Sequence, residues 1–295
     1  MTTDSLTAEV RTPQRRGRLT PARVAAVAFL VCVAILTLFP LAYALSGSLK
    51  SLPDLISSGA RLLPQEFMWS NYVVAWTEAN FARSLGNSFV VTGAAVLIGT
   101  IAASMCGYVL SRKLVFGQRF WVVLMGAAIF LGAGTATLYP RYIIAQQLGM
   151  ANLIGVVVLQ LAEIMILTTF LVQAYCRDIG TEVEEAARLD GCGLLRTYWH
   201  VALPMMRPIL TTVAVLTFQW SWNSFQVPLV FTLPRPDLQT ITVAVFALKS
   251  SAGEGFGEYT VLLAGAVLAL IPIVVVYVIG QRYFMDGLTE GALKG

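Results

Sequence analysis

Six apolar runs, each about twenty residues long, decide what this chain can fold into. They cover residues 24–45, 89–110, 120–139, 153–174, 209–231 and 259–280. A hydrocarbon core about 30 Å thick is crossed by ~20 helical residues. Inside it, backbone N–H and C=O groups must be paired within their own segment, so helices are the form such runs take. Composition points the same way. Apolar residues are 57% of the chain, charged residues 12%, and the mean hydropathy is +0.73. Soluble domains carry about 25% charged residues. The expected fold class is an all-α membrane protein with six transmembrane helices. A seventh apolar stretch, 240–248, is too short to cross and is expected on or in an outer loop. Pro40 and Pro272 lie inside runs and predict kinks. Gly93, Gly99 and Ala103 in the second run, with Gly126, Gly132 and Gly134 in the third, predict close helix packing.

Charge predicts the orientation. Arg11, Arg15, Arg16, Arg18 and Arg23 precede the first run as the n-region of a signal peptide would, but no small-x-small cleavage site ends that run. It reads as a retained helix. With both termini inside, 14 of the 20 Lys and Arg residues fall on inner segments, as the positive-inside rule requires. The remaining six are Lys50, Arg61, Arg83, Arg141, Arg235 and Lys249. This asymmetry accounts for the net charge of +4 without a nucleic-acid partner. The chain then divides into a polar cytoplasmic tail (1–22), a first transmembrane helix with its outer loop (23–84), a five-helix core (85–281) and a cytoplasmic C-terminal tail (282–295).

Little here suggests an enzyme. His200 is the one histidine, and Cys32, Cys106, Cys176 and Cys192 have no metal-ligand spacing. They read as reduced packing residues. No G-x-x-x-x-G-K-[ST] occurs, so the chain carries no P-loop.

The longest polar segment between runs is the inner loop 177–207. Five of the chain's sixteen acids lie between Asp178 and Asp190. Thr181 with Glu184 three residues on reads as a capping box, and acids at 182, 184 and 185 suit a helix N-terminus. Val183, Ala186, Ala187 and Asp190 share a small face by their spacing. Gly191 and Gly193 are expected to end the helix. A second helix follows, with Leu195, Tyr198, Trp199 and Ala202 on one stripe and Pro204 stopping it. The whole is a helix–glycine–helix elbow with the form of a docking element.

Two groups of residues could touch a solute. Glu163 stands alone as an ionisable residue well inside a run, where a charge costs at least ~2.5–3.5 kcal/mol. It reads either as a contact on a solute or proton path, or as a protonated packing carboxyl. Gln160 shares its face. The fifth run holds Gln219, Trp220, Trp222, Asn223, Ser224 and Gln226, then Pro228. Amides for hydroxyls and indole faces for sugar C–H groups make this a candidate carbohydrate path. The other reading is an interfacial aromatic belt.

Glu185-Ala186-Ala187, three residues, Gly191, nine residues, then Val201-x-Leu203-Pro204 resembles the EAA loop of ABC-importer permeases. Val201 stands where isoleucine is usual, and Asp190 also fits. The end of the chain, Gln281-Arg282-Tyr283-Phe284, Gly287-Leu288-Thr289, Gly291-Ala292 and Lys294-Gly295, resembles the ending of MalG-like carbohydrate permeases. Trp222-Asn223 and Pro228 match that family's W-N…P run. The resemblance implies the type I importer permease fold in a bacterial-type inner membrane, and no enzymatic activity in this chain. It implies that Glu185, Ala186, Ala187, Asp190, Gly191, Leu203 and Pro204 couple the chain to an ATP-binding subunit. It implies as partners a second, MalF-like permease, two ATP-binding subunits and an extracytoplasmic solute-binding protein. No cofactor is expected on this chain; ATP and Mg belong to the partner ATPase. Glu163 and the glycine-rich Leu131-Gly132-Ala133-Gly134 depart from the family's pattern. The rival expectation is a proton-coupled secondary transporter with Glu163 as relay, although the spacing of runs shows no inverted repeat.

Overall fold

The computed structural model describes residues 21–57, 59, 61–132, 135–251 and 259–292. The N-terminal arginines to Arg18, Ala133-Gly134 and the side chains of the C-terminal run from Gln281 lie outside what is described. The chain divides into two units, Met1–Tyr43 and Ala44–Gly295. The first holds most of α1 (Pro21–Ser48), which runs on through Pro40. Its apolar side chains up to Phe39, Phe29 and Leu36 among them, are exposed.

The second unit is built from α2 (Leu52–Ser57), α3 (Ser70–Glu78), α4 (Phe81–Ser111), α5 (Gln118–Gly132), α6 (Leu138–Gln147), α7 (Leu153–Asp178), α8 (Glu182–Leu189), α9 (Leu194–Thr197), α10 (Leu203–Met205), α11 (Arg207–Asn223), α12 (Gln226–Thr232), α13 (Ile241–Ser251) and α14 (Tyr259–Ala292). Among the described residues four helices are long and apolar enough to cross a membrane, or five if the bent pair Leu194–Met205 and Arg207–Asn223 is one span.

The centre is α4 against α7, with α11 across both. Gly107 makes the approach possible: a Cβ there would lie 2.6 Å from Cβ of Val172. Gly99 is nearly as tight, 3.1 Å from Leu161 Cδ2. Gly99, Ala103 and Gly107 therefore form the small-residue seam that the sequence foretold in part; Gly93 and Gly126 face open space. The register fixes directions. Val91 clusters with Val156, Gly107 meets Val172, and Arg112 meets Cys176. Residue numbers rise together, so α4 and α7 are parallel. On α11 they run oppositely, since Ser221 meets Thr92 while Val213 and Met206 cluster with Ala103 and Tyr108.

Both ends of the bundle are packed. Away from the elbow, Ala75, Phe81, Trp222, Ile241, Leu248 and Ala264 form one core cluster. There Asn71 Nδ2 donates to the Ser48 and Lys50 carbonyls, 2.9 Å each, and buried Lys50 donates to the Arg61 carbonyl. Asn152 caps α7 by accepting from the Ile154 N–H at 2.9 Å. The short stretch expected in a loop is α13, packed at this end against α14 and α3.

Two expected spans are broken. The run 120–139 is α5, a 3₁₀ turn Thr135–Thr137 and then α6. Pro140 is tolerated because it falls in the first turn of α6. The run 209–231 stops at Asn223, where Ser224 is extended, and restarts as α12. Pro228 has no N–H for the Ser224 carbonyl, which instead accepts from Thr242 Oγ1 at 2.9 Å.

Candidate functional site

The elbow begins at Thr181, but the expected capping box does not form. The Thr181 hydroxyl makes no backbone cap; it donates to Glu185 Oε1 at 2.7 Å. Glu184 turns the other way and is buried. Its Oε2 accepts from the Tyr108 hydroxyl at 2.9 Å, and its Oε1 accepts from Arg112 Nε at 3.0 Å and Nη2 at 2.7 Å. Burial won over the cap because an arginine at the end of α4 brings two charge-assisted N–H donors to one carboxylate oxygen.

Arg112 does more than hold Glu184. Its Nη1 donates to the Cys176 carbonyl at 2.8 Å, and Nη2 reaches the Ile179 carbonyl at 3.3 Å. Those are carbonyls of the last turn of α7, which a helix leaves without internal partners. One side chain thus joins the ends of α4 and α7 to the start of the elbow.

Gly191 ends α8 as expected, at φ +82° with open space around it. The Gly191 N–H bonds the Arg188 carbonyl at 3.0 Å and the Cys192 N–H bonds the Ala187 carbonyl at 2.9 Å, the two bonds of a Schellman motif. Gly193 is different: it is extended and starts α9.

Pro204 does not stop the second helix. The backbone widens into a π turn over Tyr198–Ala202, with the Leu203 N–H bonded to the Tyr198 carbonyl, and α10 carries on to Met205. A turn in that register tolerates the missing Pro204 amide. The axis then bends by 76° into α11. The expected stripe is split: Tyr198 and Ala202 are buried, while Leu195 and Trp199 are exposed. Tyr198 lies 2.7 Å from Ser104 Oγ through its hydroxyl and 5.3 Å from the Tyr108 ring. His200 Nδ1 is 3.1 Å from the Arg196 carbonyl of the same segment.

The elbow leaves apolar, small and charged side chains exposed, with Arg188 and Arg196 among them. Val183, Glu185, Ala186, Asp190 and Leu195 are exposed, and Leu189 is 91% exposed. Ala187 and Leu203 are half-buried, and Pro204 is exposed. An open groove of ≈ 780 Å³ runs beside it, lined by Trp199, Leu203, Pro204, Arg207, Pro208 and Thr211 among others.

The candidate path residues do not form one site. Gln160 is buried, and its Oε1 accepts from Ser221 Oγ at 2.6 Å. Glu163, three residues on, is exposed and lies 3.3 Å from Arg141 Nη1 of α6. The two side chains thus have different partners, and Arg141 is a second ionisable group beside the α7 helix. Trp222 is in the core. Its indole N–H donates to the Ala269 carbonyl at 3.3 Å, Phe218 stacks on it at 5.5 Å, and Phe89 meets it edge-on at 5.1 Å. The indole ring is thereby used in packing. Gln219 and Asn223 are exposed together, one turn apart; the Asn223 amide donates to the Gln219 carbonyl at 2.8 Å.

Sequence reasoning missed Tyr108, Ser104 and the second role of Arg112. Tyr108 and Arg112 are four residues apart at the end of α4, a spacing that aims two side chains one way.

These features define a multi-pass, all-helical membrane protein with a polar elbow mounted on its central helices. Residues 95–289 match the family described as binding-protein-dependent transport system inner membrane component, and the chain belongs to that family of transport permease subunits. It is 30% identical to the melibiose/raffinose/stachyose import permease MelC of Bacillus subtilis, over 89% of this chain and 94% of that one. It is 30% identical to the diacetylchitobiose uptake permease NgcG of Streptomyces coelicolor, over 90% and 87%. A solved bacterial ABC transporter involved in the import of the acidic polysaccharide alginate has a chain of the same fold. Its TM-score is 0.77 at 24% identity, over 88% of this chain and 95% of that chain.

Proposed function

We propose that this chain is one permease subunit of an ATP-driven importer of a sugar or oligosaccharide. The observation that carries the reading is the two-sided elbow. One side is pinned through Glu184, Arg112 and Tyr198 to α4 and α7. The other offers Glu185, Ala186 and Leu189 to solvent. A partner seated on that face moves the helices behind it. The relatives' carbohydrate substrates support the solute class. The exposed pair Gln219 and Asn223 on α11 supplies amides for hydroxyl groups, and Gln160 and Trp222 hold α11 in place behind it.

In this reading the partners are a MalF-like second permease, two ATP-binding subunits that carry ATP and Mg, and an extracytoplasmic solute-binding protein. The register of α4 and α7 supports the reading of six crossings. Parallel α4 and α7 require the chain between them to return, so the broken segment α5–α6 serves as a span although neither piece is long enough alone. The elbow end is then cytoplasmic, as the loop charges predict. Glu163 has a cationic neighbour in Arg141, and none of the relatives named above favours the proton-relay alternative.

The test is uptake by proteoliposomes holding the four kinds of subunit. Accumulation of a labelled oligosaccharide with internal ATP, and none with a proton gradient alone, is the expected result. Uptake on the gradient without ATP would overturn the reading.

A further inference from the structure

We propose that Arg112, Glu184 and Tyr108 are a mechanical joint that makes the elbow move as one body with the ends of α4 and α7. The inference rests on the docking reading above and adds to it the residues through which motion enters the membrane helices. Adjacent glutamates divide the work. Glu185 is exposed and touches only Thr181 of its own helix among the contacts described. Glu184 is buried with a side-chain exposure of 4%, against 9% for Arg112.

The chemistry is that of a fixed joint. A backbone link alone would let the elbow swivel at Ile179-Gly180. Arg112 closes that freedom by gripping both sides of the link: the Cys176 and Ile179 carbonyls before it, and the Glu184 carboxylate after it. The planar guanidinium holds these directions together as a lysine could not. Tyr108, one turn earlier on α4, takes the second carboxylate oxygen. Behind the joint, Tyr198 and Ser104 fix the second half of the elbow to the same helix. Coupling needs an element with two discrete positions that both sites bias; a loose elbow would absorb a partner's movement instead of passing it on. These three are positioning residues, because none has to touch ATP or solute.

The test uses the complete reconstituted transporter, with uptake and ATP hydrolysis both expressed per assembled complex. Glu184→Gln keeps the shape and the Tyr108 contact but removes the charge. The double variant Arg112→Met/Glu184→Leu leaves no unpaired charge behind, so it removes the joint without the penalty of a lone buried ion. The expected result for both is a ratio of ATP hydrolysed to solute imported that rises about tenfold, within the usual span of coupling effects. Tyr108→Phe should raise it less. If the double variant assembles and imports at the wild-type ratio, the joint is not needed and the proposal falls. If the variants only lower the amount of complex, with the ratio unchanged, the residues serve folding alone and the proposal also falls. If wild-type chain binds no ATP-binding subunit, the docking reading fails first and takes this one with it.

Discussion

Two arginine–glutamate pairs flank α7, and they differ in nearly every respect. Arg112–Glu184, at the elbow end, is buried, with two guanidinium N–H groups on Glu184 Oε1 and further donors on backbone carbonyls. Arg141–Glu163, between α6 and α7, has a single 3.3 Å ionic contact and side chains 25% and 29% exposed. The first spreads its bonds over three helices and fixes their relation. The second joins two neighbouring helices by one contact between partly exposed side chains. Carboxylates that look alike in sequence have become a joint in one place and a paired charge beside a spanning helix in the other.

The sharpest way to break this comparison is to delete one partner at the elbow. Glu184→Ala leaves Arg112 buried without its carboxylate and should cost about 3–5 kcal/mol, read as a lower denaturation midpoint of the solubilised assembly. A midpoint like wild type would show that the pair is not structural. Next is the helix seam on which the joint depends. Gly107→Val drives a side chain into Val172 and should cost about 1–3 kcal/mol, measured the same way. At Gly191 there is room for a side chain but the backbone is left-handed, so Gly191→Val should cost about 1–2 kcal/mol. It should lower uptake more than it lowers the amount of assembled complex; wild-type uptake would count against a role for the turn in coupling. The smallest effect is expected at the open pair. Glu163→Gln should lower the midpoint less than Glu184→Ala does and leave ATP-driven uptake without a new dependence on external pH. A loss of uptake tracking the proton gradient would return Glu163 to the centre of the mechanism.

The elbow was legible because its signals are local. Gly191 needs no distant partner to adopt its turn, and the acids from 182 to 185 mark a helix start by themselves. What the local signal could not carry was direction. Glu184 satisfies the spacing of a capping box, yet Arg112, 72 residues away in sequence, offers more than the backbone N–H does. The same limit applied in the membrane. Gln160 and Glu163 are three apart, but Ser221 and Arg141, on different helices, draw them to different neighbours. Run length marked the apolar segments but not their breaks, because a run of apolar residues does not say where a carbonyl finds a substitute donor, as Ser224 does in Thr242. Pro204 was read as a stop on its missing amide; the π turn before it absorbs that loss.

The most direct test of the central claim is recovery of partners with the solubilised full-length chain, carried out with wild type and with Glu185→Lys. The account predicts that wild type brings down a P-loop ATPase whose hydrolysis is active. It predicts that Glu185→Lys keeps the second permease but loses the ATPase, since only the exposed face of the elbow has changed. Recovery of the ATPase with undiminished hydrolysis in both would contradict it.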